Sequence, residues 1–242
     1  MNFKNIPPVV KNLLIINGLF FLATILLKGQ GIDLSDYLGL HYWKSEGFQP
    51  YQLVTYMFMH GGFTHVLFNM FAVFMFGRVL EGVWGQKRFL IFYMVTGIGA
   101  GLIQMLVAYI RLIPLMAEIP QDGMDLIMTE GYGALLEGKN FVDPLLAQTN
   151  ALINSVTVGA SGAVFGILLA FGMLFPNTEL MLLFPPIPIK AKWFVIGYGA
   201  IELYSGFANN PNDNVAHFAH LGGMLFGFIL IKMWQKDRGS FY

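Results

Sequence analysis

The sequence predicts an all-α, polytopic membrane protein: a bundle of six transmembrane helices forming one domain over residues 1–242. Three observations lead there. Of the 242 residues, 56% are hydrophobic and only 12% are charged, about half the charged share of a soluble domain, and the mean hydropathy is +0.61. Six apolar stretches, at 10–27, 63–83, 89–110, 155–175, 193–208 and 215–234, approach the ~20 residues that carry a helix across a bilayer. Lys and Arg then segregate to alternate connections, as they do when basic loops stay in the cytoplasm.

The first stretch, Leu13 to Leu27, is long for a signal-peptide core, ends in Leu-Leu-Lys and has no small-residue cleavage pattern after it, so it reads as a retained first helix. Between the third and fourth stretches, residues 111–149 hold Glu118, Asp122, Asp125, Glu130, Glu137 and Asp143 among several Gly and Pro. That segment reads as a loop with room for a short interfacial helix. Lys4, Lys11, Arg78, Lys87, Arg88, Lys190, Lys192, Lys232, Lys236 and Arg238 fall at the termini and even-numbered loops, against Lys28, Lys44, Arg111 and Lys139 in the odd-numbered ones. Both termini are therefore expected in the cytoplasm. Spans two, four and six then enter from outside, which brings His60, His65, Ser161 and His220 to one depth near the extracytoplasmic surface. The expected setting is a bacterial inner membrane.

The chain has no cysteine, which excludes disulfides, thiolate nucleophiles and Cys-based zinc sites. Its formal net charge is zero, so nothing in the global charge points to nucleic acid. Any nucleophile is a hydroxyl, carboxylate or amine.

Ser161 lies in Gly159-Ala160-Ser161-Gly162 at the start of a span. Small neighbours admit a second backbone and a substrate to the hydroxyl, and helix-start amides point toward an incoming oxyanion; the competing reading is a Gly/Ser helix-packing motif. His220 is followed by Gly223 and Gly227, which share its helix stripe and would let spans four and six approach until imidazole meets the hydroxyl. His217, one turn earlier, is the rival base. His65 and Asn69 are one turn apart on one face and could hold a tetrahedral oxyanion, worth roughly 3–4 kcal/mol per donor in known hydrolases, or could simply join two helices. His60 reads as a loop-holding residue. Glu81, in Gly77-x-x-x-Glu81-x-x-x-Gly85, reads as structural, bonded to loop amides or to Arg78 or Arg88. Glu202, although an intramembrane acid, reads as too deep in span five to reach Ser161.

In this order, His65-x-x-x-Asn69, Gly77-x-x-x-Glu81-x-x-x-Gly85, Gly159-Ala160-Ser161-Gly162 and Ala219-His220-x-x-Gly223-x-x-x-Gly227 resemble the rhomboid intramembrane serine proteases over nearly the whole chain. The resemblance implies Ser161 as nucleophile and His220 as general base and then acid, without a third carboxylate. It implies an oxyanion held by His65, Asn69 and the Ser161 N–H, and no metal or cofactor. The implied partners are the lipid bilayer and the transmembrane segments of membrane-protein substrates, cut near their extracytoplasmic ends. The chain departs from the family pattern at Tyr51-Gln52, where many members carry Trp-Arg to brace the first outer loop. It also departs at Phe165, where some carry a Tyr beneath the catalytic histidine; a ring there can still stack on imidazole. The polar run Ala208 to Asn214 reads as a lid, and span five, through residues such as Phe194 and Tyr204, as the packing beside the substrate's route.

Two other classes fit part of the pattern. A metal- or haem-binding bundle would use His60, His65, His217 and His220 but leaves Ser161 and its glycines without purpose. A catalytically silent client-binding relative would not need Ser161 and His220 together.

Overall fold

Pro8 takes the first helical position, where a missing N–H costs nothing, and the apolar run behind it forms α1 (Pro8–Lys28). In the computed structural model, which describes residues 6–181, 186–208 and 215–236, two short helices follow, α2 (Leu34–Leu38) and α3 (Gln52–Thr55). Next, α4 (Phe63–Ala72) passes through one π turn at Val73–Gly77 into α5 (Arg78–Trp84). The chain continues as α6 (Gln86–Glu118), α7 (Gln121–Leu136), α8 (Pro144–Asn154) and α9 (Ser161–Leu174). A small antiparallel hairpin, β1 (Glu179–Met181) with β2 (Pro188–Lys190), pairs Leu180 with Ile189. It leads into α10 (Ala191–Ala208), and α11 (His217–Lys236) follows.

Each of the six expected spans carries a helix. Among the described residues, Pro8–Lys28, Phe63–Trp84, Gln86–Glu118 and His217–Lys236 are long and apolar enough to cross a membrane unaided. The fourth span differs from its expected 155–175. Its helix, α9, has 14 residues, about 21 Å at 1.5 Å per residue against a hydrocarbon core of about 30 Å. It is wrapped on every side: Gly162 through Leu168 are all buried, as are Ala170, Phe171 and Gly172, against α6, α10 and α11. Residues 155–160 are not helical; Thr157 instead pairs with Leu40, exchanging N–H···O bonds of 2.8 and 2.9 Å. Ser161 thus heads a short helix enclosed by its neighbours.

The segment expected as a loop, 111–149, is mostly helical: α6 runs on to Glu118 through Pro114, and α7 and α8 follow. Asp143 caps α8 by accepting from the Leu145 and Leu146 amides, a standard helix start. Leu112, Ile127 and Ile153 form a second small core with Tyr42. Asn150 donates to Gly131 O at 3.1 Å and Asn154 to Ile127 O at 3.1 Å, so polar side chains fasten one helix to the other's backbone. The acids and glycines that suggested a loop occupy outer faces, helix ends and this crossing.

Glu81 bonds to neither Arg78 nor Arg88 among its recorded partners: its carboxylate accepts from Val9 N at 3.0 Å and Val10 N at 2.8 Å. Those are first-turn amides of α1, which no intrahelical acceptor can satisfy, so Glu81 caps α1 from another helix. Gly85, at φ +78°, makes the turn between α5 and α6 in a region open to glycine. Between α1 and α4 Gln52 supplies the brace. Its amide donates to Tyr37 O and Gly47 O and accepts from the His41 and Gln49 amides.

Candidate active site

Glycine decides how closely α9 and α11 meet. A Cβ on Gly223 would stand 1.8 Å from the carbonyl oxygen of Gly162, and one on Gly227 would stand 3.4 Å from the Cα of Gly166. Backbone therefore lies on backbone, as small residues permit between membrane helices. The contact sits one turn beyond His220 and one residue beyond Ser161, so it brings those two side chains together.

The Ser161 Oγ lies 2.8 Å from His220 Nε2. His220 is 8% exposed and stacks on Phe165, with ring centroids 4.2 Å apart and planes 9° from parallel. Phe165 is one turn along α9 from Ser161, so the helix that presents the hydroxyl also presents the platform for the imidazole.

Glu202 corrects the sequence reading. It does not touch Ser161, but its Oε2 accepts from His220 Nδ1 at 2.8 Å and from His217 Nδ1 at 2.6 Å. The resemblance implied no third carboxylate, yet one is bonded to His220. The sequence signal was present, a lone acid in an apolar span, but nothing in the linear order told which face of α10 would meet α11. His217, the rival base, points its Nδ1 at Glu202, while the imidazole on Ser161 is that of His220.

On the other side of Ser161 stands His65 of α4. A Cβ on Gly159 would lie 2.8 Å from His65 Nε2 and 3.4 Å from Ser161 Oγ, so both groups converge on the space this glycine leaves open. Its φ of +135° also disfavours any side chain. The Gly159 amide is held by Tyr56 O at 2.9 Å, and the Tyr56 hydroxyl donates to Gly97 O at 2.6 Å. Asn69, one turn beyond His65, is buried at 6% exposure, just before the π turn; such turns recur at functional sites. His60 is buried with its ring edge-on to His65 at 5.0 Å, and burial together with the His65 ring pushes its imidazole down to about 4, which keeps it neutral. The first amides of α9, including that of Ser161, have no acceptor within the helix and carry the positive end of its dipole.

The four histidines considered as a metal set divide into two pairs, His60 with His65 and His217 with His220. Among the described residues, the group whose donors lie close enough to share an ion is Glu202, His217 and His220, within 4.8 Å of one another. The polar run read as a lid falls largely at 209–214, outside the described residues. On span five, Phe194 packs against the core and on Tyr198 at 5.1 Å, whereas Tyr204 is 77% exposed.

A family description, the Rhomboid domain, matches residues 47–113 and 128–236. The chain is 25% identical over 253 residues to "Rhomboid-like protein 11, chloroplastic" of Arabidopsis thaliana, covering 91% of this chain and 66% of that protein. It is 29% identical over 191 residues to "Putative rhomboid protease YdcA" of Bacillus subtilis, covering 78% and 70%. An uncharacterized mitochondrial rhomboid protein of Schizosaccharomyces pombe is 26% identical over 276 residues, covering 97% and 67%. The chain thus spans about two thirds of the length of these relatives.

Proposed function

The chain belongs to the rhomboid family, a family of helical membrane proteins that includes serine proteases, and from that premise we propose that it is an intramembrane serine endopeptidase. The observation that carries this reading is the Ser161 Oγ to His220 Nε2 contact of 2.8 Å inside an apolar bundle. A buried imidazole bonded to a hydroxyl flanked by glycine is a nucleophile and its base.

In this reading His220 Nε2 takes the Ser161 proton as Oγ attacks a peptide carbonyl carbon, and the carbonyl electron pair moves onto oxygen. His65, Asn69 and the Ser161 N–H hold that oxygen. The C–N bond then breaks, His220 returns the proton to the departing amine, and an ester remains on Ser161. Water, deprotonated by the same imidazole, attacks the ester and releases the second product. The substrates are transmembrane helices of other proteins, cut near their extracytoplasmic ends. Supporting this reading are the placement of the serine at the head of short α9 and the bias of basic residues, which favours cytoplasmic termini. A bacterial inner membrane is part of the same proposal, with the Bacillus subtilis relative in its support.

Purified Ser161→Ala and His220→Ala, reconstituted in vesicles with a model transmembrane substrate, should each lose cleavage and labelling by a fluorophosphonate while keeping the wild-type melting profile. His217→Ala should cost less than about tenfold, since proton transfer typically contributes 10²–10⁴-fold. Near wild-type cleavage by Ser161→Ala would overturn the reading. The Glu202, His217 and His220 cluster favours one rival, a metal-holding membrane protein; metal-free protein that still cleaves excludes it.

A further inference from the structure

We infer that Glu202 is a positioning residue for His220, the third member of a Ser161–His220–Glu202 relay carried by three different helices. The inference rests on the protease reading above and adds to it a carboxylate on α10.

A carboxylate can only accept. With Oε2 at 2.8 Å from His220 Nδ1, the ring carries its proton on Nδ1 and leaves the Nε2 lone pair for the Ser161 hydroxyl, 2.8 Å away. The bond the other nitrogen makes is what selects a histidine tautomer. Phe165 fixes the plane of the ring by stacking but cannot choose between its two nitrogens; Glu202 does. When Oγ attacks, its proton passes to Nε2 and the ring becomes imidazolium. The Nδ1 proton stays where it is, and the buried negative charge of Glu202, 6% exposed, offsets the new positive one. A carboxylate in that setting is costly to keep without partners, and here both recorded partners are histidines of α11.

His217 shares the same oxygen at 2.6 Å. It lies one turn before His220, so Glu202 grips α11 at two successive turns and holds the rotation of the helix as well as the tilt of one ring. Among the described residues, the other titratable or charged groups near His220 are His217 on its own helix and His65 of α4. Arg111 of α6 is directed to Gly206 O and the Phe218 ring, and α9 presents Ser161 and Phe165. Among these described groups Glu202 alone supplies a negative charge to the imidazolium.

The test is Glu202→Gln beside Glu202→Asp and Ser161→Ala, assayed in proteoliposomes across pH, with fluorophosphonate labelling as a second measure of serine reactivity. Glu202→Gln keeps the shape and removes the charge. Turnover and labelling should fall by about 10²–10⁴-fold, as when the orienting acid of a serine triad is made an amide, while KM stays within about twofold. The acidic limb of kcat/KM should move to lower pH, because the free enzyme's imidazolium loses its counter-charge. Glu202→Asp, with the charge kept one methylene further back, should give an intermediate kcat with the limb near its wild-type position. If Glu202→Gln does not fold, Glu202→Asp decides by itself: a lowered kcat at constant KM supports the relay, and wild-type kcat overturns it. Wild-type kcat and an unmoved limb in folded Glu202→Gln, with Ser161→Ala inactive, overturn the relay and leave the protease reading standing. Activity in Ser161→Ala overturns both.

Discussion

Gly223→Ala should separate the nucleophile from its base without touching either. The added methyl would sit 1.8 Å from Gly162 O and 2.7 Å from Gly162 C, both backbone atoms that no rotamer change can move. Restoring even a tight 3.0 Å contact requires α11 to withdraw from α9 by more than 1 Å at this point. His220 is one turn away on the same rigid helix, so much of that shift reaches it. The 2.8 Å contact with Ser161 then opens beyond hydrogen-bond range. A misplacement of ~1 Å costs on the order of 10²-fold in turnover, and overpacking of this kind costs about 1–3 kcal/mol of stability. Cleavage rates in proteoliposomes beside thermal melts, with two companions, make a graded test. Gly227→Ala meets a ring atom of Phe92 at 3.1 Å, and Gly197→Ala meets nothing within 4 Å, so the losses should run Gly223 far above Gly227 and Gly227 above Gly197. Wild-type turnover in Gly223→Ala would refute the idea that glycine contact sets the distance between Ser161 and His220.

Two further outcomes are expected. Asn69→Ala should lower kcat by about 10²–10³-fold with little change in KM, as for other oxyanion donors; a raised KM at constant kcat would make Asn69 a binding or packing residue. Phe194→Ala should preserve or raise turnover even though truncating a packed aromatic ring costs about 3–5 kcal/mol, because in the proposed reading it loosens α10 where a substrate helix enters while leaving Glu202, two turns further on, in place. Tyr204→Ala, at an exposed site, should change neither, and a loss of activity in Phe194→Ala proportional to its loss of stability would make α10 ordinary core.

Much was legible in the order of residues alone. Apolar length announced a helical membrane bundle, since a bilayer forces every spanning backbone to satisfy its own hydrogen bonds, and each of the six apolar stretches carries a helix. The glycines after His220 and around Ser161 announced a close helix crossing, because a missing side chain is visible in sequence and admits only a few uses. The resemblance implied that the ring at Phe165 could stack on the imidazole of His220, and it does.

What the linear order could not carry was the partner of any long-range polar bond. Glu202 and His220 lie 18 residues apart on different helices, and whether that carboxylate faces lipid, a packing seam or the base depends on the rotation of α10 against α11. Glu81 is fixed by amides 71 and 72 residues earlier, a cap that no local pattern encodes. Residues 111–149 are mostly helical where Leu112 and Ile127 close a second core with Tyr42 and Ile153 and where Asn150 and Asn154 bond to backbone carbonyls of α7, long-range contacts that outweigh local propensity. Nor does hydropathy reveal that α9 stops at Ser161. The apolar run continues toward residue 155, but Thr157 pairs with Leu40 and Gly159, at φ +135°, leaves helical geometry before Ser161.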